Sequence, residues 1–228
     1  MIRPPDFAIW ILSTLLAGFV AALIAIRGQF RHYLAFSVYF IAILITNPFW
    51  MVVVFRSGIA SSAYNYSYIW MNGVLTLLLY CAVAGLYGKT LLSENLQRHV
   101  RNGSICLATG LAIVACFEAR RSPGLWPTHW IIAYDTYLTM ASVLLALCLL
   151  YPVLYKEQAP RQVRQMAIVL AGYFVIIAAR DAAWKSMSLY ARHRDISGLL
   201  YLWLPMGVAY VFSEVSSRRS ATGTQDRI

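Results

Sequence analysis

The sequence predicts an all-α fold, a polytopic integral membrane protein built as a seven-transmembrane-helix bundle. Three observations predict it. Only 12% of the 228 residues are charged, about half the share of a soluble domain. Sixty per cent are hydrophobic, and mean hydropathy is +0.62. Seven apolar stretches can be marked, and at about 20 residues each they use about 140 residues. The rest divides into tails and connections of about 11 residues, too short for a soluble catalytic or signalling domain.

The first apolar run is Phe7 to Ile26. It is long for a signal peptide and lacks a small-residue cleavage site, so it is read as a helix. The second runs from Leu34 to Phe55 and the third from Tyr68 to Tyr87. The fourth, Ser104 to Phe117, is short for a span, and it lengthens only by taking in Glu118. The fifth is Trp130 to Tyr151, ending at Pro152, and the sixth is Gln165 to Trp184. The seventh is Gly198 to Val215, with a kink expected at Pro205. Breaks are expected at Arg27-Gly28, Gly88-Lys89 and Ser122-Pro123-Gly124. Residues 1–217 form the membrane domain, and residues 218–228 form a short polar cytoplasmic tail whose composition suits disorder.

The net charge is +10. In a soluble domain that would raise nucleic acid as a partner. Here the basic residues come in ones and twos between apolar runs, so the expected partner is the lipid bilayer, with no nucleic acid. With the N-terminus outside and the C-terminus inside, eleven Lys/Arg fall on the inner side and eight on the outer. That bias sets the expected orientation in an inner (plasma) membrane crossed several times.

Cys81, Cys106, Cys116 and Cys148 all lie in apolar runs and form no C-x-x-C pair. They read as reduced packing residues, with neither a disulfide framework nor a metal site. The histidines His32, His99, His129 and His193 lie in loops or at helix ends, which gives no support to central haem or chlorophyll ligation. The seventh run carries no lysine for a retinal Schiff base, and no H-E-x-x-H, G-x-S-x-G or P-loop pattern appears. No enzyme, no cofactor and no metal are expected.

Two signals point to a ligand site. The first is tryptophan: Trp10, Trp50, Trp70, Trp126, Trp130, Trp184 and Trp203 all fall toward the outer face in this topology. An interfacial aromatic belt accounts for such a pattern, and so does an outward-facing pocket walled by indoles. The second is intramembrane charge. With the turn between the fifth and sixth helices near Gln158, Asp135 before it and Arg180 after it are almost equally far along the chain. An antiparallel hairpin puts them at nearly equal depth. Charges in lipid pair or face a wet cavity, so an Asp135–Arg180 ion pair is expected, with an Asp181–Lys185 pair on one helix as an alternative for Asp181. A structural clamp without a ligand would need the same pair.

Polar side chains recur at helical spacing beside them. Asp135, Thr139 and Ser142 share a face of the fifth helix, and Asn72, Thr76 and Tyr80 share one of the third. Tyr173, Ile177, Arg180 and Trp184 do so on the sixth helix, and Trp203, Gly207, Tyr210 and Glu214 on the seventh. Thr46 and Asn47 precede Pro48, which frees backbone carbonyls. Ala17, Ala21 and Ala25 read as a packing stripe. The expected ligand-binding residues are Asn47, Trp50, Trp70, Asn72, Asp135, Thr139, Arg180 and Trp184.

The run Phe30-Arg31-His32-Tyr33-Leu34, then Tyr39-Phe40, Tyr64-x-Tyr66-x-Tyr68-x-Trp70 and Leu86-Tyr87 resembles a group of uncharacterised seven-helix bacterial membrane proteins. The likeness covers about a quarter of the chain and consists of aromatic and aliphatic positions. It implies the architecture and no site. The expected function is therefore a non-enzymatic binding or sensor-like protein. It takes a small ligand or lipid in an outward-facing aromatic and polar pocket and acts through a membrane protein partner. Polar stripes and Pro48 and Pro205 also suit a small-solute transporter, and short loops suit a structural subunit of a larger membrane complex.

Overall fold

The computed structural model describes residues 4–58, 61–90, 94–121, 125–155, 161–186 and 202–213. Among these there are seven helices and no strands: α1 (Pro4–Ile26), α2 (Leu34–Ser57), α3 (Ser62–Thr90), α4 (Glu94–Arg121), α5 (Trp126–Tyr155), α6 (Arg161–Ser186) and α7 (Trp203–Ser213). α1 to α5 are each long and apolar enough to cross a membrane, and the protein is a multi-pass membrane protein. α6 is not among these five; its side chains are described only as far as Ile177, and it opens with Arg161 and Arg164 in its first turn. Its Val163, Met166, Leu170 and Phe174 side chains are buried among the other helices, so much of α6 faces protein.

Helix ends follow local chemistry. α1 closes in a Schellman motif: Gly28 has φ +64, its N–H bonds the Ala25 carbonyl at 2.9 Å, and the Gln29 N–H reaches Ile24 at 3.1 Å. α2 stops at Gly58, again left-handed at φ +78. α3 starts well before the apolar run, since the Ser61 hydroxyl accepts the Tyr64 N–H at 3.1 Å and caps the helix. It also runs through Gly88-Lys89, where a break was expected. α4 is twice as long as expected, at 28 residues. Its polar opening from Asn95 to Asn102 is helical, and so is its end beyond Glu118. Hydropathy marks where a helix meets lipid, and here the helix outlasts that zone at both ends. α5 runs through Pro152 to Tyr155. Pro205 falls in the first turn of the described α7. The expected break at 122–124, the start of the seventh run at 198–201, Glu214 and the 218–228 tail lie outside the described residues.

Contacts make consecutive helices antiparallel, which gives the bundle two ends. Phe7 of α1 meets Phe55 of α2 edge-on at 6.1 Å at one end. At the other end Tyr33, in the α1–α2 turn, meets Phe212 of α7 at 5.4 Å. The main core lies toward this second end. Ile24, Phe36, Phe40, Leu86, Phe174 and Phe212 are fully buried there, from α1, α2, α3, α6 and α7. A smaller cluster holds α3, α4 and α5 together through Tyr80, Ala115, Tyr134 and Leu138. The alanine stripe of α1 is corrected in part: Ala17 is buried and Ala21 packs on the core, but Ala25 is exposed.

Candidate functional site

The first end of the bundle is the tryptophan end. Trp10 near the start of α1, Trp50 near the end of α2, Trp70 early in α3, and Trp126 and Trp130 in the first turns of α5 all belong to it. Trp203 does not. Its indole Nε1 lies 3.4 Å from where a Cβ on Gly172 would stand, and Gly172 is near the midpoint of α6. The expectation that all seven tryptophans reach one face is corrected at this position. The α7 face with Trp203 and Tyr210 is also exposed rather than interior.

Asn47 ties α2 to α1. Its amide donates to the Ser13 hydroxyl at 3.1 Å and to Thr14 at 3.0 Å. Those hydroxyls donate in turn to the Trp10 carbonyl. Pro48 follows, and its missing N–H leaves the Leu44 carbonyl without the usual helical donor. One turn nearer the end, Trp50 is 8% exposed and its ring lies 5.2 Å from that of Tyr68 on α3. The Trp50 indole N–H is buried with no acceptor among the described residues.

Asn72 of α3 donates to an Asp135 carboxylate oxygen of α5 at 3.1 Å. Tyr68 and Asn72 are one helical turn apart, on one face of α3. Trp50, Tyr68, Asn72 and Asp135 therefore line one side of that helix. Thr139, half-buried, follows Asp135 by one turn of α5.

Trp70 stands two residues from Asn72, about 200° round the helix, and joins a second set. Its ring is 6.2 Å from that of Trp130. Trp130 stacks on Tyr134 at 5.4 Å and 11°, and its N–H bonds the Ala112 carbonyl of α4 at 3.1 Å. The Trp70 N–H is also buried without an acceptor among the described residues. The indoles thus form a ladder of ring contacts between helices. Trp70 and Asn72 thus both reach α5, from different faces of α3.

Arg180 and Trp184 are placed on α6 by backbone alone, and their side chains lie outside the described ones. So do those of Asp181 and Lys185, which leaves both expected ion pairs outside the description. Measured from the α5–α6 connection, Asp135 and Arg180 stand almost equally far along their helices. The same rise per residue on both helices keeps the two at similar depth.

Four further polar contacts lie outside the expected set. The Tyr137 hydroxyl of α5 donates to the Glu118 carboxylate of α4, and the Tyr80 hydroxyl donates to the Ser104 carbonyl at 2.8 Å. A carboxylate in an apolar run was the available signal for Glu118, but hydropathy alone places it at a helix end. At the opposite end, the Lys89 ammonium donates to the His32 carbonyl and sits 3.7 Å over the Tyr33 ring. Nearby, Gln162 of α6 donates to Gln29 at 3.0 Å. Burial, and then the Lys89 charge, hold the His32 imidazole below its ordinary pKa, and burial pushes the Tyr33 phenol up. Spacing gave no signal here, because His32 and Lys89 are far apart in the sequence.

All four cysteines are free; Cys81, Cys106 and Cys148 are exposed and Cys116 is half-buried. The expectation of buried packing is corrected for the first three, which sit on outward helix faces where an apolar thiol meets lipid. Among the described residues no group of three His, Cys, Asp or Glu side chains could hold a metal ion. Chemically, the tryptophan end brings together aromatic faces, two buried indole donors and the Asn72-bonded Asp135 carboxylate. No protein-family model, curated protein or solved structure matches the chain.

Proposed function

We propose that this chain is a non-enzymatic membrane binding protein, sensor-like in action, that holds a small ligand or lipid at its tryptophan end. The observation that carries this reading is the Trp50 N–H. It is buried without an acceptor among the described residues, on the side of α3 that carries Asn72 and Asp135. A buried donor left unpaired costs about 1–3 kcal/mol, and a ligand oxygen removes that cost. Asp135 and the rings of Trp50 and Tyr68 supply charge and apolar cover for the same guest. In this reading the N-terminus is outside, seven helices cross an inner (plasma) membrane, and Arg180 and Trp184 complete the site from α6. A separate membrane protein carries the output.

The test is gentle native purification with mass spectrometry of what remains bound. Trp50→Phe keeps the ring and removes the donor. The expected result is a bound species kept by the wild type and lost from Trp50→Phe and Asp135→Asn, both still folded. Equal retention by all three proteins would overturn the assignment. A second reading, a structural subunit of a larger complex, is favoured by the outward apolar face of α4. Only 6% of its span is buried, against 33% for α3.

A further inference from the structure

The end of the bundle opposite the tryptophans is built around the α1–α2 turn. The apolar span of α1, Phe7–Ile26, has 20 residues. That is about 30 Å at helical rise, the thickness of a bilayer's hydrocarbon core. Arg27 is the next residue and so stands at headgroup level. It also continues the buried face of α1. Val20 and Ile24 are fully buried, and Arg27 follows them at i+7 and i+3. Its side chain keeps to that face: Nη1 is buried and has no acceptor among the described residues. A guanidinium does not give up its charge, and a desolvated charge without a partner is costly.

The turn that begins with Arg27 is fixed from three other helices. Gln162 of α6 donates to Gln29 at 3.0 Å, and Phe212 of α7 meets the Tyr33 ring. Lys89 of α3 donates to the His32 carbonyl and sits over Tyr33, which anchors a second cation at the turn. Arg31, exposed, is a third. Among the described side chains no carboxylate lies at this end; Glu118 and Asp135 belong to the tryptophan end. Apolar groups border the cations. Ile26 and Leu34, on either side of the turn, are 83% and 53% exposed. Unbalanced positive charge beside exposed apolar surface suits an amphiphile of net negative charge.

We propose that this end binds a phosphate-bearing anion, supplied by a phospholipid of net negative charge. Its phosphate accepts charge-assisted hydrogen bonds from the buried Arg27 guanidinium. Lys89 and Arg31 raise the positive potential around it, and its acyl chains lie along the apolar residues that border the turn. The site stands at the other end of the bundle from Trp50 and does not depend on the ligand proposed there.

Thermal unfolding of the delipidated full chain in neutral detergent tests this. Phosphatidylglycerol, phosphatidylcholine with matched chains, or inorganic phosphate is titrated in, and the midpoint shift gives the affinity. The wild type is expected to bind phosphatidylglycerol about tenfold tighter than phosphatidylcholine. Arg27→Met removes the charge and keeps an apolar stem. Without lipid it should melt above the wild type, since the unpaired charge is gone, and it should bind the two lipids equally. Arg98→Gln, at an exposed cation of α4 at the same end, should keep the preference. Equal affinity of the wild type for both lipids overturns the proposal. So does a preference that survives Arg27→Met, or an equal loss in Arg27→Met and Arg98→Gln, the mark of diffuse surface charge. A lipid-free Arg27→Met chain that melts below the wild type overturns it too, because the guanidinium then has a partner within the protein. A shift with inorganic phosphate as large as that with phosphatidylglycerol overturns the lipid as its source.

Discussion

Phe40, Phe174 and Phe212 are fully buried where α2, α6 and α7 converge, whereas α4 turns Ile105, Val114 and Phe117 outward. Both regions are helical and apolar, but the surroundings of each side chain differ. In the convergent region protein surrounds protein, and packing is close. Along α4 one face holds α3 and α5, and the other is left exposed. Apolar composition therefore does not measure burial in this fold. The number of helices around a residue does.

The largest expected contrast is between two phenylalanines. Phe174→Ala should cost about 3–5 kcal/mol, the range for a large cavity in a dense core. Phe117→Ala, at a side chain that is 61% exposed, should stay within about 0.5 kcal/mol. Reversible unfolding in mixed micelles titrated with dodecyl sulfate measures both. Similar losses would erase the distinction between the two regions.

Glycines give the next contrast. A Cβ at Gly207 would stand 2.4 Å from Val169 Cγ1, and a β-branched neighbour has few rotamers to escape into. Gly207→Ala should cost about 1–3 kcal/mol and loosen α7 from α6. A Cβ at Gly110 on α4 meets nothing within 4 Å. Gly110→Ala should stabilise, by up to about 1 kcal/mol from helix propensity. The same micelle titration reads both signs.

Smaller effects sharpen the comparison at the tryptophan end. A double-mutant cycle of Asn72→Ala and Asp135→Asn should show a coupling of about 0.6–1.7 kcal/mol, the scale for polar pairs between membrane helices. No coupling would mean that the 3.1 Å bond adds nothing to holding α3 and α5. The smallest effect lies at the opposite end. His32 should titrate below its ordinary 6.5, because burial and then Lys89 disfavour the charged ring. Its folded pKa is depressed, so this contribution to stability is present above the ordinary value and is lost as pH falls through the folded one. Histidine-resolved NMR checks the midpoint, and Lys89→Gln should raise it in part, since burial remains.

The sequence made α1, α2 and the core of α5 readable, because their apolar runs and helix lengths nearly coincide. Hydropathy alone cuts α3 and α4 short. Ser61 caps α3 ahead of its apolar run, and α4 opens with polar residues that hydropathy discards. Counting along the hairpin sets Asp135 and Arg180 at similar distances from its turn, but it gives no sign of the Asn72 partner. Spacing within one helix cannot say which neighbour faces which. The same limit hid the Asn47 clamp to Ser13 and Thr14, the Trp70–Trp130 ring contact, and the Glu118–Tyr137 contact. Those facts depend on helix rotation, which many weak packing contacts set together.

Native mass spectrometry of gently purified protein would be the first measurement, comparing wild type, Trp50→Phe, Asp135→Asn and Glu118→Gln. A ligand at the tryptophan end predicts a species lost from Trp50→Phe and Asp135→Asn but kept by Glu118→Gln. The contradicting result is a wild type that carries no such species, or one retained equally by all four proteins.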